Sequence, residues 1–248
     1  MKESVIEVRN LVAKYGEKTV LDDISVDIPK GKVTVILGSS GCGKTTLLKN
    51  ILRLYMPYSG SVKILGKEVT TMDEKEYNHL LKRIGMLFQG GALLNSLSIA
   101  ENLAIPLEQH TSLPQEIIDR IINLKLDLVN LGYARYLKPS ELSGGMKKRV
   151  ALARAIALDP ELLFCDEPSA GLDPITSASL DELILNLKEK LNMSIIIVTH
   201  ELSSIYRIAD NIIFLHNGNM LYSGALDKAQ ESGHPEIKEF FETGRFDR

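Results

Sequence analysis

The feature that most constrains this chain is the run Gly38-Ser39-Ser40-Gly41-Cys42-Gly43-Lys44-Thr45. It follows the apolar, β-branched stretch Val33 to Leu37 and precedes a stretch, Thr46 to Leu54, that suits a helix. A strand that turns through glycines into a helix must be buried in a parallel sheet. The loop's backbone N–H groups then turn inward, and the helix adds the positive end of its dipole to the same space. Such a loop cradles the β-phosphate of a nucleoside triphosphate, with Lys44 reaching the β and γ oxygens and Thr45 offering a hydroxyl to Mg²⁺. The candidate ATP-binding set is therefore Gly38, Ser39, Ser40, Gly41, Cys42, Gly43, Lys44, Thr45 and Thr46.

A second run answers the first. Leu162-Leu163-Phe164-Cys165-Asp166-Glu167 is an apolar strand ending in two acids. A carboxylate at a strand's end is where a phosphate-bound Mg²⁺ is held, which assigns Asp166 to the metal. Glu167, next along the chain, is then positioned to orient or deprotonate the attacking water. Ile84 to Phe88 and Ser194 to Thr199 read as further buried strands, and helical stretches between them predict a mostly parallel sheet covered by helices. Val5 to Val8 reads as an early strand, and Asn211–Leu215 with Asn219–Tyr222 reads as an antiparallel hairpin turning at Asn217-Gly218. Between Gly90 and Pro160 the pattern is helical, with a capping box at Ser98 and Glu101 and helical spacing from Gln115 to Leu131.

Leu142-Ser143-Gly144-Gly145-Met146 opens a second helix, with Val150, Ala153, Ile156 and Ala157 on one side. Ser143 reads as its N-cap, and a serine hydroxyl with glycine N–H groups at a helix start forms an anion site. The chain thus carries two phosphate-binding helix ends. The economical use of both is a head-to-tail dimer, in which the Ser143 loop of one subunit closes over the γ-phosphate held by the Lys44 loop of the other.

The order of these motifs resembles the ABC ATPase cassette over essentially the whole chain, with Leu142 to Met146 similar to its LSGGQ signature except for methionine in the last place. The resemblance implies an α/β P-loop NTPase with a RecA-like mixed sheet core, an N-terminal antiparallel β region and an inserted helical subdomain. The core would span residues 1–89 and 161–248, and the signature subdomain residues 90–160. It implies further that Tyr15 stacks on adenine, that Gln89 senses both Mg²⁺ and the permease, and that His200 contacts the γ-phosphate. Ser169-Ala170-Gly171-Leu172-Asp173 resembles the D-loop that crosses the dimer interface, and Asp173 with Pro174 also makes a good helix start.

Composition narrows the partners. The 29 Lys and Arg against 32 Asp and Glu leave a slight acidic excess, so nucleic acid is not expected. Lys147-Lys148-Arg149 reads as a solvated helix face. The two cysteines, Cys42 and Cys165, and the absence of a secretory leader pattern at Met1-Lys2-Glu3 point to the cytoplasm. Both are expected to be packing residues. Since Cys42 lies in the phosphate loop, bulky thiol reagents should block hydrolysis unless ATP is bound. The apolar runs Ile195–Val198 and Ile212–Leu215 are far shorter than the roughly 20 residues of a membrane-crossing helix, so membrane attachment has to come through a partner.

Phe88-Gln89 with Gly91-Ala92-Leu93, Ser96-Leu97-Ser98, Glu101-Asn102-Leu103 and Pro106-Leu107 resembles the ATPase of Mce-type phospholipid transporters, the Mla system. Gly90, Gly91 and Ala92 would admit another backbone, and Leu93, Leu94 and Leu97 would floor an apolar groove for the permease. The resemblance implies a homodimer on the cytoplasmic face of the inner membrane, bound to permease subunits and served by an Mce-domain lipid-binding protein. Two alternatives share the catalytic motifs: an importer ATPase for a polar solute such as an amino acid, and a soluble ABC ATPase. Pro235 to Phe241 would form a short helix with Ile237, Phe240 and Phe241 available for packing.

Overall fold

The structure, a computed structural model, describes residues 3–243. Among the described residues, ten strands and eight α-helices run in the order β1 (Ser4–Tyr15), β2 (Lys18–Pro29), β3 (Val33–Gly38), α1 (Lys44–Ile51), β4 (Ser59–Ile64), β5 (Lys67–Glu68), α2 (Glu74–Leu81), β6 (Ile84–Leu87), α3 (Ile99–His110), α4 (Gln115–Leu128), α5 (Gly144–Ala155), β7 (Leu162–Asp166), α6 (Pro174–Leu191), β8 (Ser194–Val198), α7 (Leu202–Ile208), β9 (Asn211–His216), β10 (Asn219–Ala225) and α8 (Pro235–Thr243). They fall into two compact units: Asn78–Met193, and the described segments on either side of it.

The flanking unit contains an antiparallel sheet ordered β2-β1-β4-β5. In β2, Leu21, Ile24, Val26 and Ile28 point inward between exposed neighbours, the alternation expected of a strand with one wet face. The early strand is longer than its sequence suggests, because β1 continues past the bulge at Asn10 to Tyr15. The same unit carries the run β10-β9-β3-β8, in which β3 pairs in parallel with β8 and β9, while β10 returns antiparallel on β9. Every residue of β3 and β8 is buried, which is why both read as unbroken apolar runs. The hairpin turns where expected, with Asn217 at φ 47° and Gly218 at φ 80°. The C-terminal helix α8 buries Ile237, Phe240 and Phe241, with the Phe240 ring edge-on to Phe214 of β9 at 5.6 Å.

The Asn78–Met193 unit holds the parallel pair β6 and β7 with α3, α4, α5 and α6. Ser98 and Glu101 form the expected capping box on α3. The helix expected to reach Leu131 stops at Leu128, and the one expected to reach Leu54 stops at Ile51, where Arg53 turns to φ 49°. Among the described residues, no helix is long and apolar enough to cross a membrane.

Candidate active site

Strand β3 delivers its C-terminal end to the loop 38–43, and α1 begins at Lys44. Gly38 sits at φ 145°, and a Cβ there would lie 1.9 Å from the Leu215 carbonyl oxygen, so only glycine lets the loop leave the sheet alongside β9. Gly43 is the N-cap of α1 in the left-handed region and brings no capping side chain. With no acidic residue in the first turn either, the first N–H groups of α1 face the loop with the positive end of the helix dipole undiluted. Lys44 Nζ donates to the carbonyls of Gly38 and Ser39, both at 2.9 Å. This holds the ammonium across the mouth of the loop. Ser40, Gly41 and Thr45 are exposed there, whereas the Thr46 side chain is buried and leaves only its backbone to reach a ligand.

Cys42 is 3% exposed. Burial pushes its thiol pKa up from the ordinary value, and the nearby Lys44 charge pulls it partly back. Because the thiolate is the nucleophile, a raised pKa means less of it at neutral pH and a rate that climbs with pH into the alkaline range. Native Cys42 should therefore react with a bulky maleimide at pH 7.5 at least about tenfold more slowly than in the urea-unfolded chain, as followed by mass spectrometry. Equal rates would contradict the burial. Any block of hydrolysis by such reagents would develop on this slow timescale.

Strand β8 lies beside β3 with Ile36 opposite Val198, and His200 follows two residues beyond the end of β8. His200 is exposed. Tyr15 ends β1 with its ring 44% exposed and tilted against Tyr55 at 4.8 Å between centroids. The Tyr55 hydroxyl donates to the Lys14 carbonyl at 2.8 Å, and Lys14 Nζ lies over the Tyr58 ring. The aromatic face is thus composite. Tyr55 and Tyr58 escaped the sequence reading because their pairing with β1 spans about forty residues, though two tyrosines three apart in a chain with 6% aromatics were a signal.

In the other unit, β6 and β7 run in parallel with Leu87 opposite Cys165. Gln89 and Glu167 each lie just beyond the end of their strand. Lys148 of α5 joins them, its ammonium donating to the backbone carbonyls of Gln89 and Glu167. The basic run is therefore not a solvated face. Lys148 is 7% exposed, and Arg149 donates to the Val129 carbonyl and to Ser179 Oγ. Its sequence gave no sign of this, because three cations in a row cannot reveal which one points inward.

Ser143 caps α5, accepting from Met146 N–H at 3.3 Å and leaving its own hydrogen to be donated outward. Gly144 and Gly145 are the first residues of that helix, where N–H groups have no intrahelical partner. A Cβ on Gly145 would lie 2.6 Å from Thr176 Cγ2, so the glycine also admits the start of α6. Asp173 caps α6 through Ile175 and Thr176 N–H, and the Thr176 hydroxyl bonded to it holds its carboxyl below the usual range. Both of its oxygens are thereby engaged within the chain.

Leu93, Leu94 and Leu97 do not floor a groove of the kind expected. A cavity of about 350 Å³ is lined by Leu81, Met86, Phe88, Ile105, Pro106 and Leu158, among others, and not by Leu93, Leu94 or Leu97. Gly91 serves the interior, since a Cβ there would press on Ala151 of α5 at 3.3 Å.

A family model described as ABC transporter matches residues 21–170. The intermembrane phospholipid transport system ATP-binding protein MlaF of Haemophilus influenzae is 41% identical over 240 residues, 97% of this chain and 91% of that protein. The probable ribonucleotide transport ATP-binding protein mkl of Mycobacterium leprae is 38% identical over 235 residues, 95% of this chain and 68% of that one. Among solved structures, a dimeric post-hydrolysis state of an ATP-binding cassette bound to ADP and Pi matches with a TM-score of 0.80 at 29% identity, over 89% of this chain and 98% of that one.

Proposed function

The chain belongs to the ABC transporter family as an ATP-hydrolysing cassette, and we propose that it drives a phospholipid transporter of the Mla type, as a homodimer on the cytoplasmic face of the inner membrane. The observation that carries the lipid reading is the 41% identity to the phospholipid ATPase over 97% of the chain. Permease subunits would bind at the cavity beside Phe88, and an Mce-domain protein would exchange lipid on the far side. Residues 90–160 would act as the signature subdomain.

Each γ-phosphate would be held from two sides. The loop 38–45 with Lys44 grips it in one subunit, and Ser143 with the N–H groups of Gly144 and Gly145 closes over it from the partner. Tyr15, backed by Tyr55, would stack on adenine. His200, just beyond the end of β8, would donate to a γ-phosphate oxygen, while the Glu167 carboxylate would orient and deprotonate the attacking water. Thr45, Gln89 and Asp166 would supply hydroxyl, carboxamide and carboxylate oxygens, hard donors of the kind that suit Mg²⁺. When bound, that ion neutralises charge on the β and γ oxygens. Loss of the γ-phosphate contacts releases the dimer, so the permease is driven by the difference in affinity between closed and open states.

Purification of the tagged chain from native membranes, with mass spectrometry of the extract, tests this. An integral-membrane permease carrying phospholipid is the expected result. A permease whose ATPase stimulation tracks a ribonucleotide or amino acid, with no bound lipid, would replace it with a polar-solute reading.

A further inference from the structure

Two side chains of α5 reach the loops that follow β6 and β7. Lys148 donates to the carbonyls of Gln89 and Glu167, and Arg154 donates to those of Gly91 and Ala92, both at 2.7 Å. Two of the four carbonyl acceptors belong to residues in the left-handed region without being glycine: Glu167 at φ 46° and Ala92 at φ 49°. That conformation is disfavoured for a residue with a Cβ and persists only where surrounding contacts hold it. A buried ammonium, for its part, requires acceptors close by. The two needs meet at Glu167, whose carbonyl also accepts from Ala170 N–H at 3.2 Å. The backbone angle of Glu167 decides where its carboxylate points, so the cation that holds its carbonyl governs the aim of that carboxylate. The same cation anchors Gln89, and Gly91 brings the loop close to Ala151 of α5.

We propose that Lys148 is a positioning residue for hydrolysis, pinning Glu167 in its left-handed conformation and tying it to the Gln89 loop through α5. This rests on the assignment of Glu167 to the attacking water. Lys148 is 7% exposed and its ammonium is directed at backbone carbonyls of these two loops. Its removal therefore acts on the chemical step and leaves nucleotide affinity in place.

The test compares Lys148→Met, Lys148→Arg and Glu167→Gln in the purified full chain, with kcat, KM for ATP, nucleotide stoichiometry and amide exchange measured on each. Lys148→Met should lower kcat at least about 20-fold with KM within twofold and full nucleotide stoichiometry, and Lys148→Arg should recover most of the rate. Exchange at Gly91 and Ala170, whose N–H groups close turns on Phe88 and Glu167, should speed up in Lys148→Met. If Lys148→Met does not accumulate as folded protein, Lys148→Gln, which retains one donor group, should show a partial loss of kcat. Wild-type kcat in Lys148→Met or Lys148→Gln, while Glu167→Gln stalls, would overturn the proposal alone. Normal turnover in Glu167→Gln would instead overturn the assignment of Glu167 on which it rests.

Discussion

A Glu167→Gln variant will bind ATP as tightly as the parent, turn it over at least about 100-fold more slowly, and accumulate as an ATP-bound dimer on size exclusion. The carboxamide is nearly isosteric with the carboxylate and keeps the backbone at φ 46° supported by the same contacts, but it cannot take a proton from water. On the proposed reading, binding would rest elsewhere, on the loop 38–45 and the start of α1. If hydrolysis in this variant stays within a few-fold of the parent, Glu167 is not the base. If hydrolysis stops but the chain stays monomeric with ATP at saturation, the two-sided grip on the γ-phosphate fails instead.

Gly38→Ala will cost about 3 kcal/mol of stability or more and abolish nucleotide binding in whatever fraction folds. The added methyl would meet the Leu215 carbonyl at 1.9 Å and the Cys42 sulfur at 2.9 Å, at a backbone φ of 145°. A backbone oxygen in a paired strand cannot step aside, so β3 and β9 must part or the loop must change path. Gly41→Ala is the control. Its φ is 76°, but no atom lies within 4 Å of the added methyl, so only the left-handed penalty of about 1 kcal/mol applies. Urea titrations of both variants, read beside binding of a fluorescent ATP analogue, check the pair. Equal stability of the two would mean that the close approach at Leu215 does not constrain the loop.

Sequence was most informative where one local pattern admits one geometry. The Asn217-Gly218 turn, the Ser98 and Glu101 capping box, the Ser143 and Asp173 caps and the buried strands β3, β7 and β8 all follow from short-range chemistry, and each lies where its residues imply. Long-range choices were hidden. Nothing in Lys147-Lys148-Arg149 marks the middle residue as the inward one, because that depends on where β6 and β7 end relative to α5. Tyr55 joins Tyr15 only once α1 has folded back toward β1, and the groove near Phe88 draws its walls from helix residues remote from the leucines that suggested it. Helix ends were overrun for a related reason. Leu52 and Leu54 continue the apolar run, but the backbone leaves the helix at Arg53.

The hold of Lys44 on the carbonyls of Gly38 and Ser39 has a consequence for product escape. If Lys44 grips phosphate as proposed, its cation would not stand bare between turnovers, since these carbonyl oxygens would take the place of departing phosphate oxygens. Arrival and departure of the nucleotide would then be swaps of one set of acceptors for another, with little hydration to strip or restore at that nitrogen.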